Sequence, residues 1–340
     1  MQRAYPKSDR FNMGTPVHNK YIPIRMDDFT IGIKTPVDLY VRISETEFSK
    51  LYSAGEKTEQ AKIFKFNRKS IGYLWVRNEE YPNLTKHNVL IAGIALKSDK
   101  YKNPEKSRFI TAASATIFNE ISQSGINHSN YNEAREISDA TVSLVQHHQD
   151  LFELMENLSR CSDTWVKFSQ SVAAMSVVIG NGMGWKNPVT MEKLAVGGLL
   201  HKIGFTDLPR ELLALPIDRM SAQQFNTYKN YPTRGAQMLS KLGSVPDDIV
   251  AIVAEHQERP KGKGFPKKLT DLKVHPMARV VGLAEEFCQI LIPNMSKAED
   301  TRSPDQAFKV LKDTKEHMFN KEVFEGLHKM VGRNSLNKAV

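Results

Sequence analysis

The chain has 340 residues, enough for two or three domains, and its apolar (40%) and charged (25%) content is that of an ordinary globular protein. It carries 47 lysines and arginines against 38 acidic residues, a net charge of +9 that suits a phosphate-bearing ligand or an acidic partner and specifies neither. No zinc-finger spacing and no aromatic-rich basic motif is present, which argues against a nucleic-acid reader, and no apolar run reaches the roughly 20 residues of a membrane span.

The opening MQRAYPKSDRFNMG is polar and lacks the apolar core of a signal peptide, so a cytoplasmic protein is expected. Pro6, Ser8, Gly14 and Pro16 break any regular pattern, and residues 1–18 read as a flexible arm. From Tyr21 the texture changes. TIGIKTPVDLYVRI is rich in β-branched residues and alternates as strands do. In SETEFSKL, Ser44 with Glu47 fits a capping box that starts a short helix. IFKFNRKSIGYLWVR reads as a short helix or turn and then a strand near Tyr73–Val76. These pieces make a small α/β domain over residues 19–105, closed by the polar segment SDKYKNPEKS at 98–107.

From Arg108 the apolar spacing is helical to the end. ITAASATIFNEIS and ATVSLVQHHQDLFELMENL form connecting helices over 106–155, with His147 and His148 inside the second and about 100° apart on it. Amphipathic segments then cover Thr164–Ile179, Met191–His201, Ala222–Leu242, Pro246–His256, Pro276–Ile292, Pro304–His317 and Lys321–Val331. Residues 156–340 are thus an all-α domain, and the fold class is α+β overall. The long helices before residue 160 offer a surface for a homodimer. The two cysteines, Cys161 and Cys288, form no C-x-x-C pair and read as free structural thiols.

Over residues 160–330 a set of ordered motifs carries a family resemblance. The run LAVGGLLHKIG resembles one that ends in His-Asp-x-Gly-Lys. MSAQQF resembles the opening of the next helix, and YPTRG resembles His-Pro-x-x-Gly. EHQERPKGKGFP is similar to His-His-Glu followed by Gly-x-Gly-Tyr-Pro. RVVGLAEEF resembles the helix that carries a late Asp ligand, and SPDQAFKVL and FNKEVFEGL resemble closing helices. This order is that of the HD-GYP family, the metal-dependent phosphohydrolases that cleave cyclic di-GMP. The N-terminal α/β domain resembles the small domain placed ahead of some bacterial members.

The resemblance implies a two-metal site in which the cations lower the pKa of a bridging water and neutralise the attacked phosphate. Most of the implied ligands are altered. An early His is Phe168, the Asp of the His–Asp pair is Lys202, the His before Pro232 is Tyr231, and the second paired His is Gln257. His201 and His256 are kept, and Glu285 stands for the late Asp. These three are the candidate metal ligands, enough for one metal by count. An ammonium at position 202 opposes a second metal. At 4 Å and an effective dielectric near 20, unit charges repel by about 4 kcal/mol, and a dication doubles that. Two lysines that the resemblance implies for phosphate binding are Phe205 and Leu215.

The loop HQERPKGKGFPKK keeps Glu258, Arg259, Gly262, Gly264 and Pro266, exchanges Tyr for Phe265, and carries Lys261, Lys263, Lys267 and Lys268. Arg234 adds a further charge. The loop reads either as a solvated surface or as a docking surface. The resemblance implies a diguanylate cyclase domain as partner, or an anionic ligand. The sequence therefore leads to a catalytically inactive, regulatory or interaction protein of cyclic di-GMP signalling. It would have no catalytic residues, with Lys202, Tyr231, Gln257 and Phe265 in degenerate positions, and no cofactor. Binding of cyclic di-GMP without cleavage is a subtype of this reading. The alternative is a cyclic di-GMP phosphodiesterase in which His201, His256 and Glu285 hold one iron or manganese ion and Lys202 or Arg259 stabilises charge on the phosphate. A helical scaffold with no link to nucleotides, binding through its α/β domain, is a third reading.

Overall fold

Four short strands rich in aromatic and β-branched residues build the N-terminal layer: β1 (Tyr21–Arg25), β2 (Leu39–Arg42), β3 (Phe48–Tyr52) and β4 (Tyr73–Arg77). They form one antiparallel sheet in the order β1-β4-β2-β3. Ile22 lies opposite Val76 and Ile24 opposite Leu74. Together with Leu39, Val41 and Leu51 they make a small core completed by Ile63, Tyr81 and Leu84. The computed structural model describes residues 20–26, 31–44, 46–59, 61–63, 72–148, 150–159, 164–292 and 302–337. The arm expected over 1–18 and Cys161 lie outside the described residues.

The helix expected after Ser44 is a hairpin instead. Ser44 Oγ accepts from the Glu47 amide at 3.2 Å, as a cap would, but Ile43 N donates to Glu47 O at 2.9 Å and the chain turns back as β3. A serine accepting from the third amide onward serves a turn as well as a helix start. Only Leu39–Arg42 of the long alternating segment is a strand; the stretch before Pro36 makes a single isolated bridge, Lys34 to Lys57.

The rest is helical: α1 (Tyr81–Lys97), α2 (Asn103–Ser124), α3 (His128–His147), α4 (Leu151–Ser159), α5 (Thr164–Gly182), α6 (Pro188–Leu200), α7 (Arg210–Leu213), α8 (Ala222–Tyr228), α9 (Tyr231–Ser240), α10 (Asp247–Glu255), α11 (Pro276–Leu291), α12 (Pro304–Lys315) and α13 (Lys321–Asn337). None of the described helices is long and apolar enough to cross a membrane. α1 was not foreseen. Its first turns contribute Tyr81 and Leu84 to the sheet's core, and further along Val89 and Ala92 enter the helical core. The polar segment at 98–107 begins as the tight turn between α1 and α2, which pack on each other, so the core continues across it. Helices α2 and α3 bury their apolar faces inside this chain.

Two expected helices are split. The 140–158 segment breaks at His148, whose extended backbone (φ −95°, ψ 123°) caps α3, so His147 ends that helix and His148 lies outside it. The 222–242 segment breaks before Tyr231-Pro232, where a proline without an N–H starts a new helix rather than continuing one.

Helix α5 runs through the centre, buried on nearly every side, and packs on α6, α11 and α13. Its last residue, Gly182, meets α13 at a backbone contact: a Cβ there would lie 2.0 Å from the Gly326 carbonyl oxygen. Gly182→Ala must push the two helices apart. We expect a loss of about 1–3 kcal/mol in unfolding free energy by urea titration, the usual cost of overfilling a core.

Candidate functional site

Helix α6 delivers the first site residue. Asn187 caps it by accepting from Val189 N at 2.9 Å, Pro188 occupies its first turn, and its last seven residues, Leu194 to Leu200, are all buried. His201 and Lys202 therefore enter the protein interior, His201 fully buried and Lys202 2% exposed. The turn that follows is held against α9 by Gly204, where a Cβ would strike the Tyr231 carbonyl oxygen at 2.0 Å. Helix α10 ends at His256 and Gln257, and α11 carries Glu285 on its buried face.

These elements converge on the Glu285 carboxylate. Lys202 Nζ pairs with its Oε1 at 2.8 Å, and Gln289 Nε2 donates to the same oxygen at 3.3 Å. Gln257 Nε2 donates to Oε2 at 2.5 Å. His201 Nε2 stands 4.0 Å from Oε1 and His256 Nε2 3.9 Å from Oε2, with the two imidazole rings edge to face at 5.2 Å. The Lys202 ammonium also sits 4.2 Å over the ring of Phe168, on α5, and 5.6 Å from that of Phe205.

The imidazoles are oriented by backbone. His201 Nδ1 lies 2.6 Å from Gly198 O and His256 Nδ1 2.9 Å from Val253 O. A carbonyl only accepts, so each Nδ1 carries the proton and each Nε2 presents a lone pair inward. Tyr231 OH donates to that lone pair of His256 at 2.8 Å. His201 Nε2 is buried with no hydrogen-bond partner.

Burial drives both histidines toward the neutral form. The pKa of His201 falls to about 3, chiefly by desolvation, with Lys202 and His256 adding to the fall and Glu285 opposing it. That of His256 falls to about 4 for the same leading reason. Burial alone would raise Glu285, but the Lys202 ammonium overrides it and holds the carboxyl below the usual carboxylate range. At neutral pH the centre is one carboxylate, one ammonium and two neutral imidazoles.

The three candidate metal ligands are thus brought together, yet their donors are largely engaged. Both Glu285 oxygens accept hydrogen bonds, and the His256 lone pair is taken by Tyr231. Only the His201 nitrogen is open. The donor set does not fit a divalent metal while Lys202 occupies it, and no group of three or more His, Cys, Asp or Glu among the described residues is arranged to hold one. Gln289, one helical turn from Glu285, was missed in the sequence; its i,i+4 spacing was the available signal.

The basic loop separates into two parts. Glu258 and Arg259 are buried braces. The Glu258 carboxylate accepts from Lys267 N at 2.6 Å and Leu269 N at 2.9 Å. Arg259 donates to His256 O and Glu258 O, lies 3.9 Å from Glu286 Oε2 and covers the Phe319 ring at 4.9 Å. Its guanidinium is committed to these contacts. Lys261, Lys263, Lys267 and Lys268 are exposed. Lys261 (φ 61°) and Lys268 (φ 55°) hold left-handed backbone beside Gly262 (φ 68°). Pro266 follows a cis peptide bond, and Gly264 is buried beneath the loop. Phe265 joins an aromatic cluster with Phe225, at 6.4 Å, and Tyr231, at 6.3 Å. Arg234 pairs with Asp207 at 2.6 Å on the surface.

Comparisons with known proteins bear on the family and the fold. The pattern of the HD domain family matches residues 144–323. The chain is 24% identical over 151 residues to a cyclic di-GMP phosphodiesterase of Pseudomonas aeruginosa, covering 44% of this chain and 36% of that protein. It is 24% identical over 185 residues to a cyclic di-GMP phosphodiesterase of Thermotoga maritima, covering 53% and 49%. The matches thus span about a third to a half of the length of these relatives. Bd1817, an HDG"Y"P protein from Bdellovibrio bacteriovorus, shares the fold with a TM-score of 0.68 at 18% identity over 94% of this chain and 99% of that one.

Two outcomes follow from the centre. Glu285→Gln leaves a buried ammonium unpaired, which costs about 3–5 kcal/mol, whereas the double variant Lys202→Met/Glu285→Gln loses clearly less than the two single changes summed; chemical denaturation of all three measures the coupling. Stability also falls with acid. Below about pH 6.5 the unfolded chain protonates His201 and His256 while the fold keeps His201 neutral down to about pH 3 and His256 down to about pH 4. Each contributes a slope of up to 1.4 kcal/mol per pH unit, so urea titrations at pH 7 and pH 5 should differ by about 4 kcal/mol from this pair.

Proposed function

We propose that this chain, which belongs to the HD-domain family and is HD-GYP-like in its motif order, is a non-hydrolytic module that acts by interaction within cyclic di-GMP signalling. One observation carries the reading: the Lys202 ammonium is paired at 2.8 Å with Glu285, the only carboxylate among the candidate ligands. A phosphodiesterase of this type needs cations that activate water and neutralise phosphate. Here the carboxylate that would hold them is already neutralised from within. The changes at Phe205 and Leu215 point the same way, since they take two phosphate-holding charges from the surroundings.

Interaction is assigned to the lysine loop. Four ammonium groups are exposed on a backbone braced from below by Glu258 and Arg259, so the charge is presented in a fixed shape to an acidic partner, in the first instance a diguanylate cyclase domain. The second reading, a phosphodiesterase with one metal, draws support from the approach of His201 and His256 to Glu285 at 4.0 and 3.9 Å.

The deciding assay incubates the purified chain with cyclic di-GMP and added manganese or ferrous iron. The expected result is no turnover above the buffer blank; metal-dependent hydrolysis that disappears in His256→Ala establishes the second reading. A parallel capture experiment uses an immobilised diguanylate cyclase domain. Changing Lys261, Lys263, Lys267 and Lys268 to Glu should abolish retention, and retention that is unchanged removes the docking role of the loop.

A further inference from the structure

We propose that the face of the N-terminal sheet turned away from its core binds single-stranded nucleic acid, stacking bases on aromatic rings and pairing phosphates with arginines. The sequence has no contiguous aromatic-rich basic motif; the fold assembles one from four strands. The inference goes beyond the reading of the central site and uses none of its residues.

Alternation fixes which residues share this face. Ile22, Ile24, Leu74, Val76, Leu39 and Val41 point into the core, so their neighbours along each strand point the other way. Register sets those neighbours in rows. Pro23 lies opposite Trp75, Trp75 opposite Tyr40, and Tyr40 opposite Lys50. On one side of that row Arg25 lies opposite Tyr73 and Arg42 opposite Phe48; on the other, Tyr21 lies opposite Arg77. Each of these strand positions is aromatic, basic or proline, and none is acidic. All except Tyr40 are partly or well exposed.

The rings form one connected surface. Tyr21 and Phe48, from the two edge strands, stack at 4.2 Å. Tyr21 meets Tyr40 edge-on at 5.1 Å, and Phe48 meets Trp75 edge-on at 5.2 Å. Two guanidinium groups extend it: Arg42 lies 5.7 Å from the Trp75 ring and Arg77 5.5 Å from the Tyr40 ring. A guanidinium is planar, stacks on rings, and has donors enough to keep some for a phosphate. Arg25 and Arg42 belong to one row two strands apart, about 10 Å.

The acidic groups stand at the rim. Asp38 pairs with Lys50 at 2.5 Å and accepts from Tyr40 OH at 3.3 Å, which cancels the lysine. Glu79, 4.0 Å from Arg77, and Glu80 beside it offset part of that charge. Arg25 and Arg42 are the principal phosphate partners, and Arg77 the third. An acidic peptide would use these cations and leave the rings idle, and a proline-rich peptide would need no row of arginines. A polymer of planar bases and phosphates uses both. The face spans about 15 Å each way, room for about two or three stacked bases. The net charge of +9 favours the approach of such a polymer.

The test titrates the full chain into a fluorescein-labelled single-stranded RNA of mixed sequence, about ten nucleotides long, and reads anisotropy. The expected result is saturable binding with a log–log salt slope of about −2. Unlabelled RNA should displace the probe, and the matching duplex, cyclic di-GMP and polyglutamate should displace it poorly. Trp75→Ala and Phe48→Ala should each weaken binding about tenfold, the loss of one stacked base. Arg25→Gln and Arg42→Gln should each flatten the salt slope by about 0.7. Trp75→Phe should keep most of the affinity but lose part of the tryptophan quenching that RNA produces in the native chain; a merely structural role for Trp75 would not separate those two readouts. If Trp75→Ala does not fold, Trp75→Phe and the arginine variants decide.

Absence of saturable binding by the native chain overturns the proposal. So does binding that the ring variants leave unchanged, which is the behaviour of diffuse positive charge. Displacement by cyclic di-GMP or polyglutamate as effective as that by unlabelled RNA also overturns it, and gives the face to a cyclic dinucleotide or an acidic protein.

Discussion

A carboxylate sealed inside a helical core has to be neutralised, and how that is done governs the rest of this molecule. Glu285 enters the centre from α11 with water excluded on all sides. The cost of stripping water from such an ion is several kcal/mol, and a neighbouring positive charge with good geometry is the main compensation available. Lys202 supplies it from the end of α6, and the amides of Gln257 and Gln289 take up the remaining lone pairs. The ammonium in turn needs its own surroundings, which Phe168 provides from α5. Contacts from three helices and the residues that cap them are thereby tied to one charge pair.

The residues that depart from the HD-GYP pattern are not blanks. Tyr231 is fully buried and donates to His256, and Gln257 donates to Glu285. Each places a hydrogen-bond donor where the resemblance implies a metal ligand. An ammonium, two amides and a phenol all present protons to Glu285 or His256 at the centre. Most buried polar atoms at the centre are thereby satisfied, the His201 Nε2 being the exception among them.

Much of this was legible before any coordinates. The α+β class and most helix spans followed from apolar spacing, and the positions of His201, Lys202, Tyr231, Gln257, His256 and Glu285 followed from motif order. What sequence could not supply was direction. Ser44 with Glu47 makes the same local hydrogen bond in a hairpin as in a helix cap, and only the pairing of β2 with β3 decides between them. Helix α1 escaped notice because its buried residues serve two different cores, which blurs a single apolar stripe. Gln289 looks like any helix glutamine until Glu285 is known to face inward. Glu258 and Arg259, read with the exposed loop, turned out to be internal because their partners are backbone groups and residues on α11 and beyond.

Helix α1 has a mechanical meaning as well. Its 17 residues form one continuous rod of about 25 Å whose start belongs to the sheet's core and whose later turns belong to the helical core. A second tie lies alongside, where Asn119 of α2 donates to Pro23 O in β1 at 2.8 Å and to the Tyr81 hydroxyl at 3.0 Å. Among the described residues, β4 leads into α1 through only Asn78–Glu80, with no slack linker between them. Because α1 packs on both α2 and α3, a tilt of the sheet would have to move those helices with it.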